Sequence, residues 1–181
     1  GENLSSIYDY QTLIFHREKL SVRLGSEADV ASVKALEPDI VVLATGSRMT
    51  WPNFLDRSYL GLGLFLDLRQ FVTNFKHYSQ KHPGRLVIYD KDHTEMTYAA
   101  AEFFADAFEE VVLITPRERI ASDVSVVSRQ GIYKRLYTKK VHIITSSEPC
   151  FESQFEDGKI TYTNIYNNER TTLDKVVALT F

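Results

Sequence analysis

The 181-residue chain carries 21 Lys and Arg against 24 Asp and Glu, a formal net charge of -3, and 44% of its residues are hydrophobic. That balance suits one ordinary folded domain or two small ones, and without a basic run or an Arg/Lys stripe interleaved with aromatics it argues against a nucleic-acid partner. A single cysteine, Cys150, excludes an internal disulfide and a cysteine-held zinc or iron–sulfur site within the chain. No apolar run approaches the ~18 residues that cross a bilayer, and GENLSSIYDY lacks the basic and apolar regions of a signal peptide, so the expectation is no membrane contact and a cytoplasmic location.

Apolar Ile7, Tyr10, Leu13, Ile14 and Leu20 recur at near-helical spacing over residues 7–20, and LSVRLGSEAD reads as a short strand ending in a turn. DVASVKALEPDIVVLATGS predicts a brief helix stopped near Pro38, then the unbroken run Ile40-Val41-Val42-Leu43-Ala44 closing on Thr45-Gly46, the pattern of a strand buried on both faces of a parallel sheet. Residues 56–83 read as a connection, with a turn at Leu60-Gly61-Leu62-Gly63 and a helix from Phe65 to Tyr78 whose apolar face is Leu68, Phe71, Val72 and Phe75. RLVIYDKDHTEMTYAAAEFFADAFEEVVLITPR, Arg85 to Arg117, is then strand, turn, helix and strand; Ser125 to Tyr137 follows as a helix and Val141 to Ile144 as a third strand. Such alternation implies a Rossmann-like parallel sheet in an α/β fold. CFESQFEDGKITYTNIYNNERTTLD changes to period two, with hairpin turns at Asp157-Gly158 and Asn167-Asn168, and predicts an appended antiparallel meander. The final LDKVVALTF echoes PDIVVLATG, with Phe181 where the echo would place a glycine.

Strand and helix announce a dinucleotide unit, yet the turn Asp90-Lys91-Asp92-His93-Thr94-Glu95 contains no glycine to let the backbone close on a pyrophosphate. Asp92 and Glu95, three apart, have the spacing of a capping box, with Thr94 as an alternative cap; a cap contributes about 1 kcal/mol. A pyrophosphate would compete for the same N–H groups and meet those carboxylates, at a repulsion of roughly 4 kcal/mol for unit charges about 4 Å apart near an effective dielectric of 20. The cofactor-binding candidates are Ala44, Thr45 and Gly46 at a strand end, Asp90 in the turn, and Thr115 and Arg117 after the second strand, where Arg117 could receive a 2′-phosphate. Ala99, Ala100 and Ala101 provide close helix–sheet approach, and Phe103, Phe104 and Phe108 provide buried area. A calcium loop starting at Asp90 fails, with Glu95 at its glycine position and Ala101 at its bidentate position. No zinc spacing, Walker loop or nucleophile elbow occurs, and no catalytic or metal residue is assigned.

LSVRLGSEAD...PDIVVLATGS followed by GRLVIYDKDHTEMTYAAAEFFADAFEEVVLITPR resembles the C-terminal portion of the NADH:flavin oxidoreductases related to trimethylamine dehydrogenase and 2,4-dienoyl-CoA reductase. The resemblance implies glutathione-reductase-like paired nucleotide domains: 1–55 as a partial FAD- or ADP-type domain, 84–172 as an inserted NAD(P)-type domain, and 173–181 as a strand returning to the first. It further implies a parent enzyme with an FMN barrel, an iron–sulfur cluster and FAD or ADP/NAD(P)H, in which this chain lacks the barrel and the cysteines. The missing barrel is then the expected partner, with a homo-oligomer also compatible. The alternative is a degenerate, non-binding scaffold or subunit-interaction domain.

Overall fold

A computed structural model describes residues 2–51, 53, 65–75, 81–150 and 158–181. The chain divides into two units, Gly1–Ser47 and Arg48–Phe181.

The first unit contains α1 (Glu2–Arg17) and α2 (Val30–Lys34). Arg17 closes α1 with positive charge at the negative end of its dipole. A reciprocal box starts α2: the Ser32 N–H donates to Asp29 Oδ1 at 2.7 Å, and the Asp29 N–H donates to Ser32 Oγ at 3.0 Å. The two strands expected here do not form. Residues 20–24 and 40–44 are irregular, and Ile40, Val41, Val42 and Leu43 are 83%, 53%, 80% and 85% exposed. A strand requires a neighbour for its N–H and C=O groups, and among the described residues none pairs with either stretch.

The second unit opens with β1 (Phe65–Leu66) and α3 (Leu68–Asn74), so the helix expected from Phe65 starts later, where Asp67 accepts from the Gln70 N–H at 2.9 Å. Its expected end lies outside the described residues. There follow β2 (His82–Tyr89), α4 (Glu95–Ala107), β3 (Phe108–Ile114), α5 (Val126–Thr138), β4 (His142–Ile144), β5 (Ser147–Pro149), β6 (Ile160–Asn164), β7 (Arg170–Leu173) and β8 (Val176–Thr180). The parallel sheet has the order β1-β8-β2-β3-β4, and β5-β6-β7 forms a separate antiparallel sheet. The Rossmann-like sheet and appended meander expected from the sequence are both present. The turn at Asn167-Asn168 joins β6 to β7, with Asn168 at φ +59°, whereas that at Asp157-Gly158 falls partly outside the described residues.

β8 lies between β1 and β2, with Leu86 opposite Ala178 and Ile88 opposite Thr180. Buried Val176 and Leu179 find their cover here. Alternation along the strands sorts the core onto two faces. Leu86, Ile88, Val111 and Leu113 pack with Tyr98, Ala101 and Phe104 of α4 and with Ile132 and Leu136 of α5. Val87, Tyr89, Val112 and Ile114 point the other way and pack with Leu179 of β8 and with Ile160 and Leu173 of the meander. The meander is thus a lid for the second sheet face. At the start of β2 the register slips between His82 and Arg85; Gly84 sits there at φ +102°, where an added Cβ would stand 2.6 Å from Val177 Cγ1. Among the described residues no helix is long and apolar enough to cross a membrane.

Candidate functional site

In a parallel sheet the crevice beyond the carboxyl ends of the strands, at the point where strand order reverses, is where ligands bind. Here the reversal is at β2, with β3 and β4 to one side and β8 and β1 to the other. A cleft of about 420 Å³ opens at that position. Tyr89, ending β2, and Phe181, following β8, contribute aromatic surface; Lys91 and Asp92 line it from the turn, and Arg48, Met49 and Thr50 from the start of the unit. Phe181 is held by the Leu68 N–H, which donates to its carbonyl at 3.0 Å, and its ring meets Trp51 edge-on with centroids 5.6 Å apart. The Tyr89 ring is fixed by its hydroxyl, which donates to Glu148 Oε1 at 3.2 Å. Burial, then the charge of Glu148, pushes this phenol well above its ordinary range.

Beside the cleft, the turn where a phosphate loop would lie is filled by a side chain. Asp90 is fully buried, and its N–H donates to Ile114 O at 2.8 Å. Its Oδ1 accepts from the His93 N–H at 2.9 Å and its Oδ2 from the Tyr98 hydroxyl at 2.9 Å. The Tyr98 oxygen in turn accepts from the Ala121 N–H at 2.6 Å, so a strand end, a helix and the loop before α5 meet at one phenol. Burial holds the Asp90 carboxyl above the ordinary carboxylate range, against the opposing pull of the Tyr98 bond and His93. The Tyr98 phenol is driven up by burial and then by the charge of Asp90. His93, itself buried and at φ +56°, brings Nδ1 to 3.4 Å from Asp90 Oδ2.

The expected Asp92–Glu95 box does not form, because the left-handed turn at His93 delays the helix until Glu95, with Thr94 as its N-cap residue. Asp92 acts just outside the helix. Its Oδ1 accepts from the Thr94 N–H at 3.2 Å and the Thr97 hydroxyl at 2.9 Å, and its Oδ2 from the Thr94 hydroxyl at 3.1 Å. The N–H groups of His93 and Thr94 are therefore both consumed by aspartates, as competition for the turn's donors anticipates, though by Asp90 and Asp92 rather than Asp92 and Glu95. A pyrophosphate does not fit this turn without breaking those bonds.

Thr115 is buried beside Asp90 on the adjoining strand end and ties two loops together. Its N–H donates to Ile144 O at 2.9 Å, and its Oγ1 accepts from the Arg117 N–H at 3.3 Å. The exposed Arg117 guanidinium places Nη1 2.9 Å from each oxygen of Asp123. Ala44, Thr45 and Gly46 belong to the other unit and are exposed; Gly46 adopts φ +75°, a conformation that suits glycine. The structure thus joins Asp90 and Thr115, and adds His93, Tyr98 and Ala121, which sequence spacing did not single out. A histidine directly after DKD was the one local signal, since Asn, Asp and His are enriched at positive φ. Among the described residues no three His, Cys, Asp or Glu side chains converge on a metal position.

No family model matches the chain. It is 26% identical over 183 residues to N,N-dimethylglycine/sarcosine dehydrogenase of Chromohalobacter salexigens, an alignment covering 97% of this chain and 26% of that protein. Among solved structures, 2-naphthoyl-CoA reductase matches 94% of this chain and 24% of its own, with a TM-score of 0.71 and 16% identity. The 6-hydroxypseudooxynicotine amine oxidase of Pseudomonas geniculata N1 matches 88% and 24%, at 0.68 and 15%. The flavoprotein disulfide reductase RclA of Escherichia coli matches 75% and 27%, at 0.53 and 18%. The chain spans about a quarter of the length of each of these proteins. It shares with these structures a mixed α/β fold, a parallel sheet beside a separate antiparallel sheet.

Proposed function

We propose that this chain is the nucleotide-domain portion of a larger flavin-dependent oxidoreductase, of amine dehydrogenase or enoate/dienoyl reductase type, and that its Rossmann-like unit serves as a scaffold rather than a dinucleotide site. The parent activity is supported by the likeness to a dimethylglycine/sarcosine dehydrogenase along 97% of the chain. The scaffold role rests on one observation: the side chain of Asp90 occupies the turn, with the His93 N–H and the Tyr98 hydroxyl as its donors. FMN and an iron–sulfur cluster would reside elsewhere in the parent, since the lone Cys150 cannot hold a cluster. On this reading the uncovered Ile40–Leu43 run belongs to a first nucleotide domain completed by further chain, and the FMN barrel is the natural packing partner.

The reading frame upstream of Gly1 tests the parent enzyme: a barrel sequence and a cysteine cluster are expected, and their absence overturns it. Titration of the chain with ADP, NADH, NADPH and FAD tests the scaffold. Silence is expected; micromolar NADH or NADPH binding lost in Arg117→Ala would overturn the scaffold role.

A further inference from the structure

We draw no further inference here: the strongest candidate, the cavity of about 490 Å³ at the amino ends of β2 and β3 lined by Gly84, Arg85, Glu109, Glu110, Lys140 and Lys175, carries nothing, because Arg85 is already held by Glu110 and Asp174, the charges of Arg85, Lys140 and Lys175 are matched by those of Glu109, Glu110 and Asp174, and nothing in the structure shows what fills it.

Discussion

Ile40-Val41-Val42-Leu43 and Leu86-Val87-Ile88-Tyr89 are nearly interchangeable as sequences, yet their environments are opposite. The first is irregular and 53–85% exposed; the second is a central strand and 0–3% exposed. What separates them is supply of neighbours. The second run has β8 on one side, β3 on the other, α4 and α5 over one face and the meander over the other. The first has none of these among the described residues. An apolar run specifies a demand for cover, and strand structure appears where the rest of the chain meets that demand.

Matched substitutions test this most directly. Ile88→Ala should cost about 2–5 kcal/mol in chemical denaturation, as for a buried aliphatic in a filled core. Ile40→Ala should stay within about 0.5 kcal/mol; equal losses would mean that the first run is covered in solution. The glycines give a second pair. Gly84→Ala combines an unfavourable φ with a 2.6 Å approach to Val177 and should cost about 2–3 kcal/mol, whereas Gly46→Ala has no atom within 4 Å of the new methyl and should lose only the backbone term, about 1 kcal/mol. A larger loss at Gly46 would reverse the contrast.

The end of β2 distinguishes the two runs further, because only there is a strand locked by a buried polar network. Tyr98→Phe leaves the Ala121 N–H and one Asp90 oxygen without their partner and should cost about 1–3 kcal/mol, read as a lower denaturation midpoint at unchanged m. Asp90→Asn gives the smallest and most specific effect. Because burial raises the Asp90 pKa above 3.8, the folded chain keeps a proton that the unfolded chain releases in the interval just above that value. Stability from this group is full below 3.8 and is lost as pH rises through the raised pKa. The melting temperature of Asp90→Asn relative to the unsubstituted chain should therefore climb across that window and be flat outside it; a difference independent of pH would remove the raised pKa.

The α/β alternation, the three strands from Arg85 to Ile144 and the meander were legible in the sequence because their apolar periods and turn residues agree with the cover they receive. Placement was less legible. The apolar pattern of LDKVVALTF marks a buried strand, but composition cannot say which neighbour a strand chooses, and β8 pairs with β2. At the site, the lack of glycine after Tyr89 pointed to a turn whose N–H groups are taken by side chains, and Asp90 and Asp92 take those of His93 and Thr94. The residue closing it was missed, since the bond from Tyr98 to Asp90 spans eight positions and the one from Ala121 to Tyr98 spans 23. Neither spacing belongs to a local motif.

The Tyr98 hydroxyl, lodged between Asp90 and the Ala121 N–H, also limits how the turn can be redesigned. A step toward a phosphate loop through Asp90→Gly would strand the phenol, and a prior change at Tyr98 would strand the carboxylate and the amide. Each single substitution therefore passes through a less stable chain, and opening this turn to a pyrophosphate calls for concerted replacement of the three groups rather than the introduction of one glycine.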